Sequence, residues 1–173
     1  MRNLFLILIC VIFLNGCLSN TRFLVCGIDI NEMKGKDFGV ATLGTITAIA
    51  SHVVGHHIAA KLYNVDIKQH GRKEIIDYSN NPSSSDIRHV ARGGFIFQLA
   101  INTALVEYAN NSYFTKGFTG ATTVQLLTYD IRNSSDGDFN LINDNGGNGD
   151  LEHELFKVWS AYNFYRISFK KEQ

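Results

Sequence analysis

Between Phe38 and Ala60 the chain runs 23 residues without a charged side chain. A helix of that length extends roughly 34 Å at 1.5 Å per residue, about the thickness of a bilayer's hydrocarbon layer. No proline interrupts the run, and Lys61 near its end suits the negative pole of a helix dipole. A helix that is apolar all round belongs either in a protein core or in a membrane. Its threonines, Ser51 and three histidines make a poor lipid-facing surface. The expectation is therefore a buried central helix over 38–63, with a membrane span as the alternative. Gly39, Gly44 and Gly55 weaken an isolated helix by about 1 kcal/mol each relative to alanine, but they let a neighbouring helix approach closely.

The remaining pattern predicts a mainly α fold: about four helices packed around the helix of 38–63, with a small β-hairpin possible over 65–78. Val65 and Ile67 alternate with Asp66 and Lys68, and His70-Gly71 suits the turn. Residues 79–85, SNNPSSS, are loop, and Ser85 or Asp86 caps a second helix reaching about Asn110. Gly93-Gly94 inside it signals either close helix contact or a break. A third helix spans about 116–130. Fifteen of the eighteen residues from Asn133 to Asp150 are Asn, Ser, Asp or Gly, which reads as loop. The last helix starts near Asp150, with Leu151, Leu155, Val158 and Tyr162 as its apolar stripe and Phe156 and Trp159 widening it. A short Phe23–Ile30 strand is also possible.

Sixteen basic residues balance sixteen acidic ones, which argues against a nucleic-acid partner. The three cysteines, Cys10, Cys17 and Cys26, all precede the body, so no disulfide framework staples the fold.

The leader carries a more specific signal. Arg2 precedes the apolar run Leu4–Leu14, long enough for a signal peptide and too short to cross a bilayer as a helix. It ends in Leu14-Asn15-Gly16-Cys17, which resembles the lipobox of bacterial lipoproteins. The resemblance implies cleavage before Cys17 and lipidation of that residue with diacylglycerol and an acyl chain such as palmitate. Several chains anchor stably, since each buried methylene contributes about 0.8 kcal/mol. With no Asp after Cys17, the resemblance favours the outer membrane, facing the periplasm. An ordinary signal peptide or an uncleaved anchor helix is the competing reading. The implied layout is a signal peptide at 1–16, a lipid-anchored tether at 17–37 and one helical domain at 38–173. The membrane is then a partner through the lipid; the sequence names no protein partner.

His52 and His56 lie four apart, hence on one helix face, where both imidazoles can address one metal ion. In its setting, SHVVGHHIAA, the pair resembles the active-site helix of zincin metallopeptidases, whose motif is H-E-x-x-H. Val53 stands where that family has its general-base glutamate. The base activates the metal-bound water, and valine cannot accept a proton. The resemblance thus implies zinc binding, or a remnant of it, without ordinary peptidase chemistry. Competing with it is a pair of histidines that only pack and hydrogen-bond. A third ligand is needed. Glu152 and Glu154, on a later helix, match the position that the resemblance implies, and His89, Glu107 and His153 are further candidates.

Two other groupings are weaker. Asp136, Asp138, Asn140, Asp144, Asn148 and Asp150 offer calcium-type oxygens, but the EF-hand pattern fails, with Gly146 at its third position and Leu155 at its twelfth. A solvated loop is the default there. Arg88, His89, Arg92, Asn102 and Glu107 give the second helix a polar side that could face the histidines as a polar pocket, or form salt bridges. Three functions remain open: a non-catalytic zincin-like metal-binding lipoprotein, a metal-dependent hydrolase whose base comes from Glu107 or Glu152, or a structural envelope lipoprotein without metal.

Overall fold

A computed structural model describes residues 24–25, 28–29, 33–70, 73–132 and 137–169. Cys17, the leader and most of the tether lie outside them. Two short strands, β1 (Leu24–Val25) and β2 (Ile28–Asp29), pair antiparallel within the stretch expected to hold one strand. The body is helical, as expected: α1 (Gly35–Leu62), α2 (Ser84–Tyr108), α3 (Tyr113–Arg132), α4 (Asp138–Asp144) and α5 (Gly149–Phe169). A hairpin of β3 (Asp66–His70) and β4 (Lys73–Asp77) follows α1, with Ile67 opposite Ile76.

Local chemistry sets the boundaries. The Lys34 N–H donates to Asp37 at 3.1 Å and opens α1 one turn earlier than the apolar run does. Asn64 ends it at φ 53, a left-handed conformation its short amide tolerates. Ser83, not Ser85 or Asp86, caps α2; its hydroxyl accepts from the Asp86 N–H while the Asp86 carboxylate accepts from Ser83. The segment read as loop contains α4. Phe139 and Ile142 are buried there three residues apart, and that anchoring outweighs the turn-forming composition around them.

α1 packs on α2 and α3 through a stripe of small residues, Gly44, Ala48, Ser51, Gly55 and Ala59. A Cβ on Gly44 would fall on the Phe114 carbonyl oxygen, and one on Gly55 would fall on that of Gly93. Gly93-Gly94 is thus close helix contact, without a break in α2. Phe95, Leu99, Leu126, Phe139 and Ile142 make one core cluster. Ala59, Ala60, Val65 and Val90 make a second beneath the hairpin.

The expectation of a helix buried all round fails. Only the small-residue stripe of α1 is covered, and 22% of its most apolar stretch is buried. Leu43, Ile46 and Ile49 are each more than half exposed. The stripe expected to bury α5 is split: Phe156 and Trp159 pack against the core, but Leu151, Leu155, Val158 and Tyr162 are exposed, while His153, Lys157, Ser160 and Asn163 are buried. The polar residues of α5 find partners inside that its leucines do not need. Trp159 and Asn163 donate to Thr103 at 2.9 and 3.0 Å, and Ser160 meets Thr123 at 2.9 Å.

Candidate metal centre

His52 and His56 occupy adjacent turns of α1, where the helix crosses α2 at Gly94. A Cβ on Gly94 would fall on His56 Nε2 and lie 2.8 Å from Cε1 of both rings. Glycine there creates the space into which both imidazoles turn. His56 Nδ1 lies 2.8 Å from the Val90 carbonyl oxygen. A carbonyl only accepts, so Nδ1 carries a proton, and Nε2 is the ring atom turned to the site, able to coordinate a metal once its own proton is lost. The His52 ring is held edge-on to Phe95, with centroids 4.3 Å apart.

Asp138 completes the group from the first turn of α4. Phe139 stacks on Phe95 at 5.2 Å and on the His153 ring at 4.4 Å, pinning α4 to the core. The Tyr129 hydroxyl accepts from the Asp138 N–H. The carboxylate then reaches both histidines: Oδ2 lies 3.2 Å from His52 Nε2, and Oδ1 lies 3.4 Å from His56 Nε2. The two Nε2 atoms are 3.1 Å apart. Burial works to raise the Asp138 pKa, but hydrogen bonding and charge from the two imidazoles outweigh it and bring it down to about 2. The carboxylate is therefore ionised, as a metal ligand must be.

These separations carry a geometric meaning. Zinc bonds to nitrogen and carboxylate oxygen run about 2.0–2.2 Å, so the edges of a tetrahedral site measure roughly 3.3–3.6 Å. The Nε2–Nε2 contact of 3.1 Å and the two nitrogen–oxygen contacts of 3.2 and 3.4 Å are near that range, the last two made by different oxygens of Asp138. Two imidazoles and one carboxylate thus converge closely enough to address a single ion. His56 and Asp138 also line a cleft of about 430 Å³. Its walls are Ile67, Ile75, Ile76 and Tyr78 from the hairpin side, Val90 and Ala91 from α2, and Leu141 and Asp144 from α4.

The other candidates are engaged elsewhere. Arg92 holds Glu152 in a bidentate pair with both contacts at 2.6 Å. Glu154 is exposed and pairs with Lys157 at 2.6 Å. His153 Nε2 contacts the Leu126 carbonyl oxygen at 2.8 Å. His89 stacks on Tyr63, and Glu107 pairs with Arg166. Arg88 donates to the Asn145 carbonyl, and Asn102 accepts from Thr119 at 2.7 Å. The residues grouped as a polar pocket are therefore dispersed, because α2 is surrounded and each side meets a different neighbour. Asp138 had figured only as a calcium-type oxygen. The signal for its role was the pair Phe139 and Ile142, which turns a polar loop into an anchored helix. No protein-family model matches the chain, and neither the curated proteins nor the solved structures contain a significant match.

Proposed function

We propose that this chain is a membrane-attached metal-binding protein of the bacterial envelope, with one divalent ion at His52, His56 and Asp138. Carrying the reading is the convergence of two imidazole nitrogens and one carboxylate, with the nitrogens 3.1 Å apart and each within 3.4 Å of an Asp138 oxygen. Two imidazoles and a carboxylate suit zinc. The protonated Nδ1 of His56 on Val90 is the outer partner such a ligand uses. Val53 projects onto the exposed face of α1 and offers no base, so the ion's role in this reading is binding rather than peptide hydrolysis. Lipidation at Cys17, which the leader suggests, supplies the attachment. Cys17→Ser is then expected to leave the leader unprocessed.

The test is metal analysis of the full chain purified in mild detergent. About one equivalent of zinc is expected, lost in His52→Ala, His56→Ala and Asp138→Ala and kept in Glu152→Gln and Glu154→Gln. Cobalt substitution adds a geometric readout, with the intense visible bands of a tetrahedral site. Absence of stoichiometric binding, or equal binding by Asp138→Ala, overturns the assignment. One observation favours hydrolysis as a second reading: Asp144 lines the same cleft as His56 and Asp138 and could serve as a displaced base. In that case Asp144→Asn would abolish turnover while keeping the metal.

A further inference from the structure

Beside its apolar core the bundle buries a polar seam between helices and leaves large aliphatic side chains outside. Gln98 donates to Thr122 and Gln125 at 3.1 Å each, and Thr119 donates to Asn102, all in the interior between α2 and α3. Ser160 and Asn163 extend this buried polar seam to α5. Outside, α1 exposes Val40, Leu43, Ile46, Ile49, Val53, Val54 and Ile58, a largely apolar face that also carries the exposed Thr42 and His57. A monomer in water seldom shows so large a contiguous apolar surface. In hydrocarbon the arrangement is the expected one: small residues at helix contacts, hydrogen bonds between helices and large aliphatic groups outside.

We infer that α1 crosses a lipid bilayer, its free face in contact with acyl chains and α2 and α3 packed on its small-residue side. The dimensions select lipid over other occupants. The charge-free stretch of 23 residues is about 34 Å long against about 30 Å of hydrocarbon. Lys34 and Lys36 lie just beyond one end and Lys61 beyond the other, where ammonium groups reach the headgroups. The chain outside the described body points the same way. Its apolar leader run, Leu4–Leu14, ends twenty residues before α1 begins at Gly35, so the body starts beside a membrane-seeking segment. The three histidines once argued against a lipid-facing helix. Two of them, His52 and His56, turn inward onto Asp138, which removes most of that objection.

The experiment uses the full chain reconstituted in phosphatidylcholine–phosphatidylglycerol vesicles. Cys10, Cys17 and Cys26 are replaced by serine, which also removes the lipidation site. Single cysteines then replace Leu43, Ile46, Ile49 or Val53 and carry a nitroxide. The expected result is high collision with oxygen and low collision with a water-soluble nickel chelate at all four, deepest near Ile49. High nickel accessibility would overturn the inference. So would low accessibility to both reagents, with dipolar broadening if a second copy covers the face and without it if the leader does. Oxygen and nickel accessibility do not depend on metal, so the proposed ion site can fail without affecting this result.

Discussion

Gly94→Ala tests the metal centre at the point where fold and chemistry meet. The added methyl would fall on His56 Nε2 and press on both imidazoles at 2.8 Å. Overpacking of this kind costs roughly 1–3 kcal/mol. Replacing a mid-helix glycine by alanine returns about 1 kcal/mol, so the net loss of metal-free stability is about 0–2 kcal/mol. The effect on binding is larger. His56 escapes the methyl by swinging away from the Val90 carbonyl, which takes Nε2 away from His52 and Asp138. Disturbing even an outer partner of a metal ligand costs about 10–100-fold in affinity, so displacing the ligand itself should exceed the upper value. Zinc affinity by chelator competition, and the zinc-induced rise in melting temperature, report this directly. In the wild type, zinc at a thousandfold excess over Kd adds about 4 kcal/mol; in Gly94→Ala, at the same zinc concentration, a loss beyond 100-fold should cut that increment below about 1.4 kcal/mol. Gly93→Ala is the control. Its methyl meets Ala59 Cβ at 2.5 Å and the Gly55 oxygen at 2.8 Å, in the same helix crossing but away from the rings. It should lower stability while keeping the zinc increment. Wild-type zinc affinity in Gly94→Ala would refute the placement of His56 in the site.

Other consequences follow from individual contacts. Phe139→Ala removes the stacks on Phe95 and His153 and should cost about 3–5 kcal/mol in chemical denaturation, together with weaker zinc binding because α4 carries Asp138. Arg92→Met strands the half-buried Glu152 and should destabilise by about 1–3 kcal/mol, whereas Arg92→Met with Glu152→Met should recover most of that loss; equal loss in the double variant would contradict the pairing. In the hairpin, a hydrogen bond from Lys68, helped by the Ser79 N–H, lowers the Asp77 pKa to about 2. A lowered carboxylate pKa means that the contact contributes fully above the ordinary value of 3.8 and fades as pH falls through about 2. Lys68→Ala should move the Asp77 carbon-13 titration up towards 3.8, and an unmoved titration would remove Lys68 as the cause.

How far the fold was legible depended on whether a pattern was local. Helix existence was: a 23-residue run without charge or proline reads as a helix, whereas the Gly93-Gly94 pair left close contact and a break both open until the fold showed the first. The hairpin was legible from the alternation of Val65, Asp66, Ile67 and Lys68. The spacing of His52 and His56 was legible because four residues is a property of one helix. Asp138 was not, since its approach depends on where Phe139 stacks and on the crossing of α1 over α2, facts about three elements at once. Glu152 looked better placed in sequence, but only the fold reveals that Arg92 claims it.

The inside-out assignment failed for a different reason, and the failure is informative. Helical periodicity identifies an apolar stripe without stating which side water is on. The rule that apolar stripes face the core holds only when the surroundings are aqueous. Leu151, Leu155, Val158 and Tyr162 form such a stripe on α5, yet Lys157, Ser160 and Asn163 are the residues buried. Those polar groups gain hydrogen bonds to Thr103 and Thr123 inside the bundle. The same exchange occurs on α1, where Gly44, Ser51 and Gly55 face protein while Leu43, Ile46 and Ile49 face out. Two helices with independent sequences make the same inversion. The lipid contact proposed for α1 would account for both, and the nitroxide series would then also measure the depth of the His52–His56–Asp138 group.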